Sequence, residues 1–178
     1  MTKRSIKITE LDGAVDAALK SLGDQLTRKA WSGRREREVV SMFCFSHLLN
    51  QVRCNRALYD PGQIAIEVAV PQNPNQVELT NRSKQKPQVC KDIVLWDKPA
   101  DTCWDANGLP SKRPMCVIEW KHNVASFSSY DVKWLSDFSK GDPDFVGYAV
   151  LTVAKNSGIS LSCTRVYLGE SEPGWINV

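Results

Sequence analysis

The chain has 178 residues, of which 42% are hydrophobic and 24% charged, with a formal net charge of +3. These values are ordinary for a globular protein and long enough for one domain with a real core, and a charge of +3 is too small by itself to imply a polyanionic partner. The six cysteines form no C-x-x-C pair and have no paired histidines nearby, which argues against zinc; Cys44, Cys90, Cys116 and Cys163 lie in apolar runs, as reduced core thiols do, and a reducing cytoplasm is the expected setting. The opening Met1–Lys7 leads into no apolar stretch of signal-peptide length, and no run approaches membrane-spanning length, so no membrane role is expected.

Taken in chain order, residues 10–30 carry Leu11, Val15, Ala18, Leu19, Leu22 and Leu26 at helical spacing, although Gly13 and Gly23 weaken the pattern. Ser32 is placed to cap a second helix over about 33–51, with Val39, Val40, Met42, Phe43, Phe45, Leu48 and Leu49 as its core face. After an Asp60-Pro61-Gly62 turn, residues 63–70 alternate as a strand that Pro71 ends. Residues 73–87 read as loop, 89–96 as a second strand containing Asp92, 97–114 as a long connection and 115–121 as a third strand ending Glu119-Trp120-Lys121. Residues 126–140 predict a helix with Tyr130, Trp134, Leu135 and Phe138 inward; 145–153 is an apolar run suited to a central strand; 159–168 alternates as a last strand. The expectation is a single domain over 1–178, with 1–31 as an N-terminal helical extension.

Side chains alternate along a strand, so Glu119 and Lys121 project from one face, roughly 7 Å apart. An apolar strand rarely carries ionised groups on a buried side unless they have partners or a task. Each residue also has a plainer reading: Asp92 in a structural ion pair, Glu119 with Lys121 as an ordinary same-face pair, and residues 34–38 as a solvated helix face with self-compensating charges. His47, at helical spacing among Phe43 and Leu48, reads as a core or rim histidine. His122 falls on the other face of the strand from Lys121. Most of the six tryptophans read as core, with Trp104 in its polar loop a candidate for stacking on a base.

The order of elements, an acid on the second core strand (Asp92) and Glu-x-Lys on the third (Glu119 and Lys121) resemble the PD-(D/E)xK nuclease superfamily, which includes restriction enzymes and Holliday-junction resolvases. The resemblance spans about residues 34–153. Glu36-Arg37-Glu38-Val39-Val40 fits the E-R-x-h-V pattern of the resolvase-like branch, with Glu36 the matching acid and Glu38 the reserve. The proline of the family's name is absent; Lys91 stands there instead. The resemblance implies an α/β fold with a restriction-endonuclease-like αβββαβ core, a central mixed sheet flanked by helices, and a nuclease acting on DNA, with an RNA-directed nuclease or a non-catalytic binding module as alternatives.

It further implies Mg²⁺ or Mn²⁺ as cofactor, held by Asp92, Glu119 and the Trp120 backbone carbonyl, with Glu36 reaching it through water or holding a second ion. Hard divalent cations want such oxygen ligands, and would polarise a phosphodiester and activate water. Lys121 would orient that water and neutralise developing charge. Arg34, Arg35 and Arg37, with Arg82, Lys84, Lys86 and Lys91, form two basic clusters that would track a phosphate backbone around the site. A homodimer is a simple way to cut both strands of a duplex.

Overall fold

The computed structural model describes residues 3–28, 35–72, 88–155 and 158–178. The first helix, α1 (Lys3–Arg28), starts earlier than its strongest apolar spacing predicts, because Ile8 extends the stripe of Leu11, Val15, Ala18, Leu19, Leu22 and Leu26, all buried. Gly23, which weakens α1 by propensity, lies where the chain's last residue crosses the helix: a Cβ there would come within 2.6 Å of Val178 Cγ1. The glycine is a packing requirement rather than a helix signal. Ser32 and Trp31 lie outside the described residues.

The second helical stretch is composite. It begins as α2 (Glu36–Met42), widens to a π-helical segment over Phe43–Leu48 and tightens to a 3₁₀ turn over Leu49–Gln51. Its buried residues come in pairs four apart: Val39 and Val40, Phe43 and Cys44, His47 and Leu48. The wide turns keep each pair on the sheet. Phe45, predicted inward, falls outside this stripe and is 64% exposed.

Six strands form one mixed sheet in the order β1 (Ile64–Pro71), β2 (Gln88–Leu95), β3 (Cys116–His122), β4 (Val146–Lys155), β5 (Gly158–Tyr167) and β6 (Glu170–Asn177). All neighbours are antiparallel except β3 and β4. That parallel pair needs a crossover, supplied by α3 (Ser129–Ser139), which Ser128 caps by accepting the Tyr130 N–H. The fold is therefore mixed α/β. One strand more is present than the sequence predicts. β6 follows a two-residue turn at Leu168 and Gly169, both at positive φ (51° and 88°), the backbone of a type I′ hairpin. Leucine is a poor signal for that turn, and Pro173 and Gly174 inside β6 disguise a strand that survives because it lies at the sheet's edge.

The helices cover opposite faces. Ile93, Leu95, Cys116, Ile118, Trp120, Tyr148 and Val150 pack with α1 and α2. Val94, Val117, Ala149 and Val166 pack with Trp134, Leu135 and Phe138 of α3. Tyr130, predicted inward on α3, is half exposed instead. No described helix is long and apolar enough to cross a membrane. All six cysteines are free thiols; Cys44, Cys116 and Cys163 are buried as expected, whereas Cys90 is exposed because its strand has swapped faces by then.

That swap positions the site. On β1, Ile64 and Ile66 face the α1–α2 core, but Val68 and Val70 pack on the α3 side. On β2, Ile93 and Leu95 face α1 and α2, whereas Val89 packs toward α3. The register runs Ile66↔Ile93 and then Val68↔Lys91, leaving Glu67 and Asp92 opposite each other at the interruption. Glu67 sits at φ 54°, the left-handed backbone that lets a strand reset its alternation. Both strands turn over together, so pairing resumes without slipping.

Close packing of α3 on β4 gives a stability test. A Cβ at Gly147 would lie 2.8 Å from Leu135 Cδ2 and 3.1 Å from Leu135 Cβ. Gly147→Ala should lower stability by about 1–3 kcal/mol through overpacking, read as a drop in urea midpoint at unchanged slope.

Candidate active site

β2 pairs with β3 only through Ile93↔Ile118, Val94↔Val117 and Leu95↔Cys116. Beyond Ile118 no strand among the described residues pairs with the edge of β3 that faced β2, and backbone amides there need acceptors. Two carboxylates supply them. Asp92 Oδ2 accepts the Trp120 N–H at 2.7 Å, and Glu36 Oε2, from the first residue of α2, accepts the His122 N–H at 3.0 Å. The N–H groups of residues two apart on a strand point to the same edge, so Asp92 and Glu36 stand side by side where a neighbouring strand would have been.

Glu119 and Lys121 project on the α3 side of β3, as alternation predicts. Lys121 Nζ donates to the Trp120 carbonyl at 3.0 Å and lies 4.0 Å from Glu36 Oε1 and 3.9 Å from Asp131 Oδ2. Asp131, in the first turn of α3, is a member of the cluster that sequence reasoning missed. A lone acid at a helix start reads as a dipole partner, and only the β3–α3–β4 crossover brings it above the strand.

Lys91 is the larger correction. Assigned by sequence to a basic cluster that would track a phosphate backbone, it is 3% exposed, hydrogen-bonds Glu119 Oε1 and holds its ammonium 3.8 Å from the centroid of the Trp134 ring. Simple alternation from Ile93 would send it to the α1–α2 face; the swap at Asp92 turns it toward Glu119.

The electrostatics follow from this packing. Burial pushes the Glu119 carboxyl up from its ordinary 4.5 to about 7, against the opposing attraction of Lys91; Asp92 and Asp131 add to the rise. Glu36 is also raised, first by burial, with Lys121 and the His122 N–H pulling it down and Asp92 and Asp131 pushing it up.

Glu36, not Glu38, reaches the site; Glu38 is exposed. Arg37 pairs with Glu67 at 2.5 Å, and Arg35, at the start of α2, is exposed. Arg34, Arg82, Lys84 and Lys86 lie outside the described residues. His47 is a core histidine: Nδ1 contacts Ser21 Oγ at 2.9 Å, and burial lowers its pKa. The ring nitrogen Nδ1 of His122 contacts Thr152 Oγ1, away from Lys121. The indole N–H of Trp104 donates to the Ala69 carbonyl at 3.1 Å, and the partly buried ring packs against the core on the α3 side of the sheet. A separate open groove of about 850 Å³ lies at the other end of β3, lined by Lys7, Asp97, Arg113, Met115 and Asp142 among others. It includes none of the cluster.

The donor set suits a hard divalent cation in kind: two carboxylates, Asp92 and Glu119, and the Trp120 carbonyl oxygen on the open edge. Two of these oxygen groups are engaged by lysines, Glu119 by Lys91 and the Trp120 carbonyl by Lys121. Among the described residues no three His, Cys, Asp or Glu side chains converge as they stand on one ion position. Comparison with family models, with curated proteins and with solved structures found no match to this chain.

The Lys91–Glu119 pair carries a measurable prediction. Removing one partner of a buried pair strands the other, so Lys91→Met should cost about 3 kcal/mol, whereas Lys91→Met/Glu119→Gln should recover most of that. Urea denaturation of the single and double variants reads the coupling. With EDTA present, the Glu119 contribution to stability should be full below pH 4.5 and lost as pH rises through about 7, because the native carboxyl holds its proton more tightly than the unfolded one. Glu119→Gln should flatten that part of the pH profile.

Proposed function

We propose that this protein is a divalent-metal-dependent nuclease that hydrolyses phosphodiester bonds in DNA, on a restriction-endonuclease-like core. The observation that carries the reading is the open edge of β3, where Asp92, Glu36, Glu119 and Lys121 gather from separate elements around unpaired strand backbone. These are the residues that the PD-(D/E)xK resemblance implies, and they come together although they are far apart in sequence. The helix–strand order matches that resemblance as well, with β6 as an addition at the far edge.

In this reading Asp92, Glu119 and the Trp120 carbonyl would hold Mg²⁺ or Mn²⁺, which supplies Lewis acidity toward the phosphate and a more acidic water. The chain's own contributions are distinct. Asp92 is fixed by the Trp120 amide, which sets the direction of its other oxygen. Lys121, between Glu36 and Asp131, is held near the strand edge with its ammonium available to a non-bridging phosphate oxygen. It stabilises charge that grows as the phosphodiester is attacked. Glu36 anchors both Lys121 and the end of β3.

One observation favours a second reading. Because Lys91 already satisfies Glu119, the cluster also fits a self-compensated structural network on a non-catalytic binding module. Cleavage assays separate the two. Purified protein with supercoiled, linear duplex and single-stranded DNA, and with RNA, should nick or cut DNA in Mg²⁺ or Mn²⁺ and leave it intact in EDTA. Asp92→Asn should abolish cleavage, and Lys121→Ala should slow it by about 10²–10³-fold. No cleavage by the wild type under any condition sinks the enzyme reading, and cleavage of RNA alone changes the substrate. For the basic cluster, replacing Arg82 and Lys84 by Ala should weaken DNA binding and reduce its salt slope by about 2. An unchanged slope returns that cluster to solvated surface.

A further inference from the structure

The His122 ring is buried beside the site, and the nuclease reading gives it no task. Trp120 packs with α1 and α2, and His122, two residues on, shares that side of β3. Both meet Thr152, the buried β4 residue opposite His122 in the register. The Trp120 indole N–H donates to Thr152 Oγ1 at 3.0 Å, and His122 Nδ1 lies 2.9 Å from the same oxygen. Thr152 Oγ1 is in turn 3.4 Å from the Lys121 carbonyl oxygen. On the far side of the ring, Nε2 is 2.9 Å from Asn123 Nδ2, and Asn123 Oδ1 accepts the Ala154 N–H at 2.8 Å.

These contacts admit one set of protons. The Ala154 N–H is a donor, which fixes Asn123 with its oxygen on Ala154 and its NH₂ on the imidazole. Nε2 must then accept, so the proton of the neutral ring is on Nδ1 and is donated to Thr152 Oγ1. That oxygen accepts from both Trp120 and His122, which fills its lone pairs and turns its own hydrogen to the Lys121 carbonyl.

The Lys121 carbonyl and the His122 N–H belong to one planar peptide unit. Its carbonyl end is held by Thr152, and its amide end by Glu36 Oε2 at 3.0 Å. We propose that His122 is a positioning residue of the candidate active site: its Nδ1–H orients the Thr152 hydroxyl, which sets the plane of the 121–122 peptide and, through the His122 amide, the Glu36 carboxylate. The other Glu36 oxygen lies 4.0 Å from Lys121 Nζ, so the same plane governs where that ammonium stands. Glu119 and Lys121 project from the opposite face of β3, so His122 acts through the backbone and not on a substrate there. The consequence for catalysis rests on the nuclease reading; the proton arrangement and the hold on the peptide do not.

Nitrogen-15 spectra of the His122 ring in the full-length chain at neutral pH should show Nδ1 protonated and Nε2 bare. A proton on Nε2, in the other tautomer or the doubly protonated ring, overturns the proposal. In Thr152→Val, checked for fold by circular dichroism, the His122 backbone amide should exchange with deuterium about tenfold faster relative to the slowest amides of the sheet. Thr152→Ser, which keeps the hydroxyl, should restore the wild-type ratio. An unchanged ratio in folded Thr152→Val overturns the proposal. In cleavage assays, His122→Phe should lower kcat by about 10–100-fold with KM little changed, because only positioning is lost. His122→Asn, whose Nδ2 takes the place of Nδ1, should recover most of that rate. Full activity in His122→Phe, or an equal loss in both variants, overturns the proposal and leaves the nuclease reading intact. A wild type that cleaves neither DNA nor RNA removes the nuclease reading, and the tautomer and exchange measurements then decide the hold on the peptide by themselves.

Discussion

The end of the β2–β3 ladder after Ile93↔Ile118 is the constraint on which the site depends. Past that point β3 continues against β4 through Trp120↔Val150, Lys121↔Leu151 and His122↔Thr152, so it stays rigid on one side while no described strand pairs with its other edge. A backbone amide left without an acceptor in a partly buried place costs about 1–3 kcal/mol. Asp92 and Glu36 remove that cost with charge-assisted bonds, which are stronger than neutral ones. The two acids are thus pinned by the fold itself, one from the strand that departs and one from the helix that takes its place. A rigid strand with acids fixed along its open edge is a precise platform for charge, and the precision comes from main-chain geometry rather than from side-chain packing.

The second constraint is the face swap at Glu67 and Asp92. A non-glycine residue in left-handed backbone costs of order 1 kcal/mol, yet without it Val68, Val70 and Lys91 would point to the wrong sides of the sheet. Turning over two paired strands at one level keeps their hydrogen bonds and places a lysine against Glu119. The same turn brings Glu67 outward to meet Arg37 of α2 and leaves Cys90 in solvent. One local backbone event therefore accounts for a buried ion pair, an exposed cysteine and an arginine that is not simply a free rim charge.

How far the sequence could be read follows from these two constraints. Strand and helix positions were legible because periodicity is local: the Leu11–Leu26 stripe, Trp134, Leu135 and Phe138 on α3, and the apolar run of β4 all fall where alternation or helical spacing puts them. Asp92, Glu119, Lys121 and Glu36 were legible because a pattern across separate elements singled them out, and the structure brings them together. Lys91 was not, since its orientation depends on a face swap that alternation cannot anticipate. Asp131 was not, because only the parallel crossover lifts it over β3. Phe45 and Tyr130 misled because a large apolar side chain reads as core, whereas the wide turns of the second helix and the first turn of α3 leave each on the outside. β6 was hidden by a hairpin turn built on Leu168, where asparagine or glycine would have announced it.

The energetics of the cluster bear on which reading of it is better. Burying Glu119 with Lys91 gives up the hydration of both, and well-packed apolar residues of similar volume are often as stable or more so. Nothing in the fold requires Glu119: the β3 amides are satisfied by Asp92 and Glu36, and Trp134 would pack as well on an aliphatic side chain as on an ammonium. The same holds for Asp131, whose like charge raises both Glu36 and Glu119. Among the described residues the network gathers the carboxylates of Glu36, Asp92, Glu119 and Asp131 with the ammoniums of Lys91 and Lys121, and burial is the first cause that raises the Glu36 and Glu119 carboxyls. Desolvated carboxyls whose pKa values are raised by burial and by neighbouring acids are a stability cost found more often at functional sites than in purely structural networks, and that association is what the proposed function draws on.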